Sequence, residues 1–238
     1  MHLVLIPGFW LDGASWGEVV PDLEAAGHTV QALTLPGLES LDADRSSITL
    51  RDHVEAVVAV IDAIGHPVVL VGHSGGGAIA HAAVDARPDA VSRVVYVDSG
   101  PLGDGDVIND ELPVVDGEVP LPEWSAFDDE DLVGLTEELR AKFRGIAIPE
   151  PARVTSDKQE LHDERRYDVP ITIICCEFTA EALQHWLQSG AYPEVPKVAD
   201  AEFVDLPTGH WPQFSRPKDL AATILAAVER TGLPAATG

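Results

Sequence analysis

Ser74 is the residue of this chain best placed to do chemistry. It stands in Gly72-His73-Ser74-Gly75-Gly76, directly after the β-type run Val68-Val69-Leu70-Val71 and before the Ala/Gly-rich Gly77-Ala78-Ile79-Ala80. Strand, sharp turn and helix in that order hold a serine in a strained backbone conformation, and the glycines two before and two after it let strand and helix approach closely. The hydroxyl is thereby lifted clear of the sheet edge. The same turn leaves the Gly75 N–H free at a helix N-terminus, where the helix dipole favours an oxyanion. A serine hydroxyl becomes a nucleophile only when a base takes its proton. His210 is the candidate base. Ala201 to Leu206 reads as a strand and Pro207-Thr208-Gly209 as a tight exit, so His210 falls just past a strand end, where the catalytic groups of open α/β sheets gather. His28 and His66 fall instead in helix-to-strand turns, His53, His81 and His185 within helical patterns, and His73 inside the turn itself. A helix is expected after His210, capped by Ser215, with Pro217 in its first turn, Leu220, Ile224 and Val228 on one face and Gly232 past its end.

The elements that must position these residues alternate along the chain. Strands are expected at about 2–6, 29–35, 68–71, 94–97, 171–175 and 202–205, with helical patterns between most of them. The clearest helix starts at Thr49, has Asp52 as its capping-box partner, carries Leu50, Val54, Val57, Val58, Ile61 and Ile64 on one face and stops at Gly65. Such alternation predicts an α/β fold with a doubly wound, mostly parallel sheet of about six strands and helices on both faces. Between Val97 and Ile171 the alternation breaks. That stretch holds an acidic helix candidate, Asp129 to Arg144, the Pro-rich Ile148-Pro149-Glu150-Pro151, and charged turns to Asp168.

These residues resemble the α/β-hydrolase superfamily, and the resemblance runs nearly from end to end. His2-Leu3-Val4-Leu5-Ile6-Pro7-Gly8-Phe9-Trp10 is similar to the family's first catalytic strand and oxyanion loop, with Pro7 where histidine is usual, and Thr208-Gly209-His210-Trp211-Pro212 is similar to its histidine loop. The resemblance implies a core from residues 1–100 and 169–238, with a small helical cap, 101–168, inserted after the fourth strand. It implies an oxyanion hole of the Phe9 and Gly75 N–H groups and no metal or organic cofactor. In most members the triad acid follows the penultimate strand in a pattern like Gly-x-x-Asp; here that segment reads Cys176-Glu177-Phe178-Thr179, with threonine in the expected position. A minority of members carry the acid after the strand that follows the elbow helix. That strand is Val94-Val95-Tyr96-Val97 and Asp98 ends it, so Asp98 is the favoured acid and Glu177 the alternative. Trp10 and Trp211 adjoin the site and are expected to line a substrate pocket, with Trp124 and Phe214 as further aromatic candidates.

The expected reaction is hydrolysis of a small to medium, neutral or apolar carboxylic ester or lactone through an acyl-enzyme on Ser74. Other reactions on the same triad stay open (carbon–carbon bond hydrolysis, perhydrolysis, hydroxynitrile cleavage), as does a hydrolase-fold receptor with little turnover. Composition narrows the partners. The 238 residues carry 40 Asp plus Glu against 15 Lys plus Arg, a net charge of −25 that repels nucleic acid and anionic membranes. No apolar stretch approaches the roughly 20 residues that span a bilayer, and Leu3 to Ile6 is too short for a signal peptide, so a cytoplasmic, soluble protein is expected. Cys175 and Cys176, adjacent in a strand pattern, point to opposite faces and are expected as buried thiols. The sequence leaves the oligomeric state open.

Overall fold

Runs of valine and isoleucine without polar interruption form strands buried on both faces. In the computed structural model, which describes residues 1–231, apolar runs of this kind form most of β1 (His2–Ile6), β3 (Val68–His73), β4 (Val91–Val97) and β7 (Ile171–Cys175), while the less buried β2 (Thr29–Ala32) and β8 (Ala201–Asp205) lie at the two edges. Gly232, expected as the stop of the last helix, lies outside the described residues. The six strands form one sheet in the order β2-β1-β3-β4-β7-β8, and every pairing in it is parallel. After β2 the chain crosses to the other side of β1, so the strand order reverses between β1 and β3. A crevice opens at the carboxyl ends of strands at such a point. Ser74 follows β3 and Phe9 follows β1, which puts both at that crevice.

Alternate strand residues feed two cores. Val4, Ile6, Leu70, Val94, Tyr96 and Ile173 face a layer that includes Val57 and Ile61 of α2 (Leu50–Ile64) and Ile79 of α3 (Gly75–Ala86). Leu3, Leu5, Val69, Val71, Val95 and Ile174 face Leu23 of α1 (Val20–Ala25) and Leu220, Ile224 and Val228 of α8 (Pro217–Glu229). The α2 start is as the sequence reads it: Thr49 and Asp52 cap one another, and Gly65 closes the helix at φ 71°. Cys175 and Cys176 are buried and free. Among the described residues no helix is long and apolar enough to cross a membrane.

Three expectations about elements are corrected. The acidic helix does not run from Asp129 to Arg144; it is α4 (Glu137–Ile146), because Gly134 sits at φ 77° and Thr136 supplies the cap by accepting from the Leu139 N–H. Ser215 does not cap the last helix. It closes the one-turn α7 (Pro212–Ser215), where its Oγ donates to the Trp211 carbonyl and lies 2.8 Å from Thr208 Oγ1, while Arg216, at φ −143° and ψ 53°, is the residue that precedes the last helix. The second strand ends at Ala32 rather than 35, where the chain turns to bury Leu33 and Leu35. The stretch between β4 and β7 contains, besides α4, a ribbon of β5 (Glu118–Val119) and β6 (Glu150–Pro151), antiparallel, and the short α5 (Ala152–Ser156). After β7 comes α6 (Ala180–Gln188), capped by Thr179.

Candidate active site

Ser74 alone makes the turn between β3 and α3, at φ 51° and ψ −127°. A non-glycine residue stays in that region only where its surroundings fix it. Here the Ser99 hydroxyl and the Gly77 N–H donate to the Ser74 carbonyl at 2.6 and 2.9 Å, and the Ser74 N–H donates to Val97 O at 3.1 Å. The loop after β1 packs directly on the turn. A Cβ at Gly8 would lie 2.7 Å from His73 Nδ1 and 2.9 Å from Ser74 Cβ, so only glycine lets the loop approach this closely.

His210 reaches Ser74 from the loop after β8. Its Nε2 lies 2.8 Å from Ser74 Oγ and its Nδ1 2.8 Å from Asp98 Oδ2. The loop is held at its backbone. His73 Nε2 lies 2.6 Å from the His210 carbonyl, which can only accept, so His73 carries its proton on Nε2 and takes one at Nδ1 from Gln213 Nε2 at 3.2 Å. Burial pushes His73 down to about 3, which keeps this tautomer neutral. The Gly209 and His210 N–H groups donate to Val133 O and Asp131 O at 2.9 and 2.8 Å, tying the loop to the inserted stretch.

Both candidate acids meet this imidazole. Asp98, just past β4 at φ 46°, accepts the Cys176 and Glu177 N–H groups at Oδ1, at 2.9 and 3.2 Å, and turns Oδ2 to His210. Because β7 pairs with β4, Glu177, two residues past β7, arrives beside it, with Oε1 2.7 Å from His210 Nδ1 but in a geometry that makes no hydrogen bond. One Nδ1–H thus serves Asp98, and Glu177 acts on the ring as a nearby charge. Burial opposes the charge on Asp98, and its bonds to His210 and the two amides overcome that to hold the carboxyl below its ordinary range. Burial raises Glu177 to about 7 against the pull of His210. For His210 burial works against the imidazolium, yet Asp98 and Glu177 prevail and lift it to about 10. The three side chains place ligand atoms within 4.8 Å of one another, but a cation there would have to take the Nδ1 that Asp98 holds.

The Phe9 ring lies against Gly75, where a Cβ would come within 2.6 Å of Phe9 Cε1. Among the described residues neither the Phe9 nor the Gly75 N–H is taken up by a hydrogen bond within the chain. The arrangement therefore offers a hydroxyl with a base at 2.8 Å, a carboxylate fixing that base, and two free amide donors beside them.

The profile of the Alpha/beta hydrolase family matches residues 3–223. This chain belongs to that family. The hydrolase is 26% identical to the Carbendazim hydrolyzing esterase of Nocardioides sp. over 245 residues, covering 94% of this chain and 98% of that one. It is 37% identical to Methylesterase 8 of Arabidopsis thaliana over 102 residues, a match that spans only 37% of that relative's length. Among solved structures, an extracellular α/β-hydrolase from a Paenibacillus species superposes with a TM-score of 0.77 at 22% identity, covering 95% of this chain and 98% of that one. The methylesterase MES16 of Arabidopsis superposes with a TM-score of 0.76 at 21% identity, covering 96% and 99%.

The aromatic residues around the hydrolase site are more numerous than the sequence suggests. Trp211, 2% exposed, stands edge-on to His210 with ring centroids 5.0 Å apart and packs against Trp124, Phe127 and Phe143; Phe143 in turn stacks on Phe214. Sequence reasoning missed Phe127 and Phe143. Phe143 was traceable four residues after Leu139 on the apolar face of α4, whereas no pattern marked Phe127. Trp10 is 6% exposed and its indole donates to Val119 O at 3.0 Å. A cavity of about 750 Å³ opens away from Ser74, between α2, α3 and α5. Its Arg51, Arg87 and Arg153 are paired with Glu55, Asp62 and Asp157.

Proposed function

We propose that this hydrolase cleaves small to medium, neutral or apolar carboxylic esters or lactones with Ser74 as nucleophile, His210 as base and Asp98 as the acid that orients it. The observation that carries the reading is the continuous Ser74–His210–Asp98 chain at 2.8 Å per link, starting from a strained turn. The names of the relatives support the ester class: two of them are an esterase and a methylesterase.

The geometry supports the following course. Ser74 Oγ attacks the acyl carbon as its proton passes to His210 Nε2, and the charge that develops on the carbonyl oxygen is met by the Phe9 and Gly75 N–H groups. Collapse breaks the bond to the leaving oxygen, which takes the proton from Nε2. Water then attacks the acyl-enzyme, giving its proton to Nε2, and the acid leaves as Ser74 recovers its hydrogen. Asp98 keeps the Nδ1–H in place throughout and stabilises the imidazolium. Residues 101–168 act as the cap, since Asp131 and Val133 hold the histidine loop and Trp124 and Phe127 pack on Trp211.

The reading is tested with a panel of neutral aryl and methyl esters and simple lactones. Saturable hydrolysis with a burst of the first product is expected; a folded protein that cleaves none of the panel would overturn it. With a net charge of −25, neutral esters should be preferred to dianionic ones, and added salt should narrow the difference as the Debye length shrinks from about 10 Å at 0.1 M. Arg153, Arg165 and Arg166, the cations that would first be suspected of reversing this, are each paired with aspartate.

The second carboxylate sets the pH window. His210 must be neutral at Nε2 to accept the Ser74 proton, and two carboxylates favour its charged form, so the acid limb of kcat/KM should lie above the ordinary imidazole value of about 6.5. Glu177→Gln removes one of those charges. Its His210 loses the proton at lower pH, and the limb should move down, as pH profiles of the two proteins would show; a limb that stays put would mean that Glu177 does not act on the ring.

A further inference from the structure

Trp10, the residue after Phe9, is held at φ 65°. Its three polar groups all bond to the segment that carries the β5–β6 ribbon: the N–H donates to Glu150 Oε2 at 3.1 Å, the indole Nε1–H to Val119 O at 3.0 Å, and its carbonyl accepts the Ile148 N–H at 2.9 Å. Glu150 is 1% exposed, and the site as described above assigns it no part. A carboxyl group in such a place needs a reason, since nothing in backbone pairing requires one there.

The charge state of Glu150 follows from its neighbour. His53 is fully buried, and its Nε2 lies 2.8 Å from the Pro36 carbonyl, which can only accept; the ring therefore carries its proton on Nε2 and leaves Nδ1 a bare acceptor. Burial pushes His53 down to about 4, so it stays neutral. That Nδ1 has no hydrogen-bond partner among the described residues and lies 3.8 Å from Glu150 Oε1. With His53 neutral, a proton on the carboxyl relieves the repulsion of two acceptors that face one another across 3.8 Å, a separation too long for a hydrogen bond. Burial raises Glu150 to about 8, with Trp10 N–H and Arg45 pulling the other way, which agrees. Glu150 is then a neutral acid that accepts from Trp10 at Oε2 and has Oε1, the oxygen nearer His53, free to carry the proton.

We propose that Glu150 is a positioning residue, through which the inserted segment fixes Trp10 and with it the Phe9 amide of the oxyanion loop. The inference rests on the reading of that amide as an oxyanion donor. A peptide held at φ 65° relaxes when its bonds are removed, and a donor that swings off the oxyanion weakens the transition state more than the bound substrate.

The experiment compares wild type, Glu150→Leu and Glu150→Gln on one neutral aryl ester, with folding of each checked by circular dichroism and thermal unfolding. Leucine fills similar space without an acceptor, and methionine, more pliable, replaces it if leucine does not fold. Glutamine repeats the neutral acid, with its oxygen toward Trp10 N–H and its NH₂ toward His53 Nδ1. The expected result is a fall in kcat of roughly tenfold or more for Glu150→Leu, a part of the 10²–10³ that loss of one oxyanion donor costs, with KM little changed, and wild-type kcat for Glu150→Gln. An active wild type whose leucine variant keeps its kcat, or loses only in KM, would overturn the inference alone. A glutamine variant as slow as the leucine variant would overturn it too. A wild type without ester turnover or fluorophosphonate labelling would overturn the esterase reading and this inference with it.

Discussion

Ser74→Ala should fold like the parent and lose ester turnover by roughly 10³-fold or more in kcat. The side chain removed makes one contact that matters, Oγ to His210 Nε2 at 2.8 Å. The turn itself is held by the Ser99 hydroxyl and the Gly77 N–H donating to the Ser74 carbonyl, which alanine keeps, and alanine meets φ 51° with strain similar to that of serine. Without the hydroxyl no acyl-enzyme forms, and what remains is the modest catalysis of free amide donors and substrate binding. Steady-state hydrolysis by the purified variant, with unfolding curves matching the parent, checks this. Turnover close to wild type would remove the nucleophile from the account.

Asp98→Asn should lower kcat by roughly 10²- to 10⁴-fold while leaving fold and KM nearly intact. Asparagine can keep the oxygen that accepts from the Cys176 and Glu177 N–H groups, but it then turns an NH₂ toward His210 Nδ1. Nδ1 becomes an acceptor, the ring proton moves to Nε2, and Ser74 faces a nitrogen that cannot take its proton. Glu177, 2.7 Å from the same nitrogen, can partly restore the working tautomer, which places the loss below the full effect of an isolated acid. Glu177→Gln should cost much less in kcat, because its carboxylate lies near the ring without holding the Nδ1–H. Both variants measured on one ester decide the order, and the reverse ranking would make Glu177 the acid.

The strands and the Ser74 turn were legible because their signals are local. A fully buried parallel strand must be an uninterrupted apolar run, and the close contact of β3, α3 and the Gly8 loop demands glycine at fixed offsets from the serine. Asp98 could be placed at the His210 edge since it ends such a run. Glu177 was offered as the alternative acid, but that it would stand beside Asp98 at the same nitrogen was not legible, because it depends on β7 settling beside β4, a pairing across more than 70 residues. The inserted stretch was least readable. Acidic residues 129–131 continue the composition of α4, and only the positive φ of Gly134 and the Thr136 cap set the true start. The ribbon of β5 and β6 has two residues per strand, too short for any periodicity, so neither the bonds to Trp10 nor the burial of Glu150 left a pattern to read. Ser215 had the right type for a cap, but Thr208 and the Trp211 carbonyl engage its hydroxyl instead.

Whether His210 activates Ser74 for attack is decided by exposing the folded protein to a fluorophosphonate and locating the adduct by mass spectrometry. One phosphonyl group is expected, on the peptide that contains Ser74, absent from Ser74→Ala and formed far more slowly in His210→Ala. An unlabelled Ser74 in the folded wild type, or labelling as fast without His210, would contradict it.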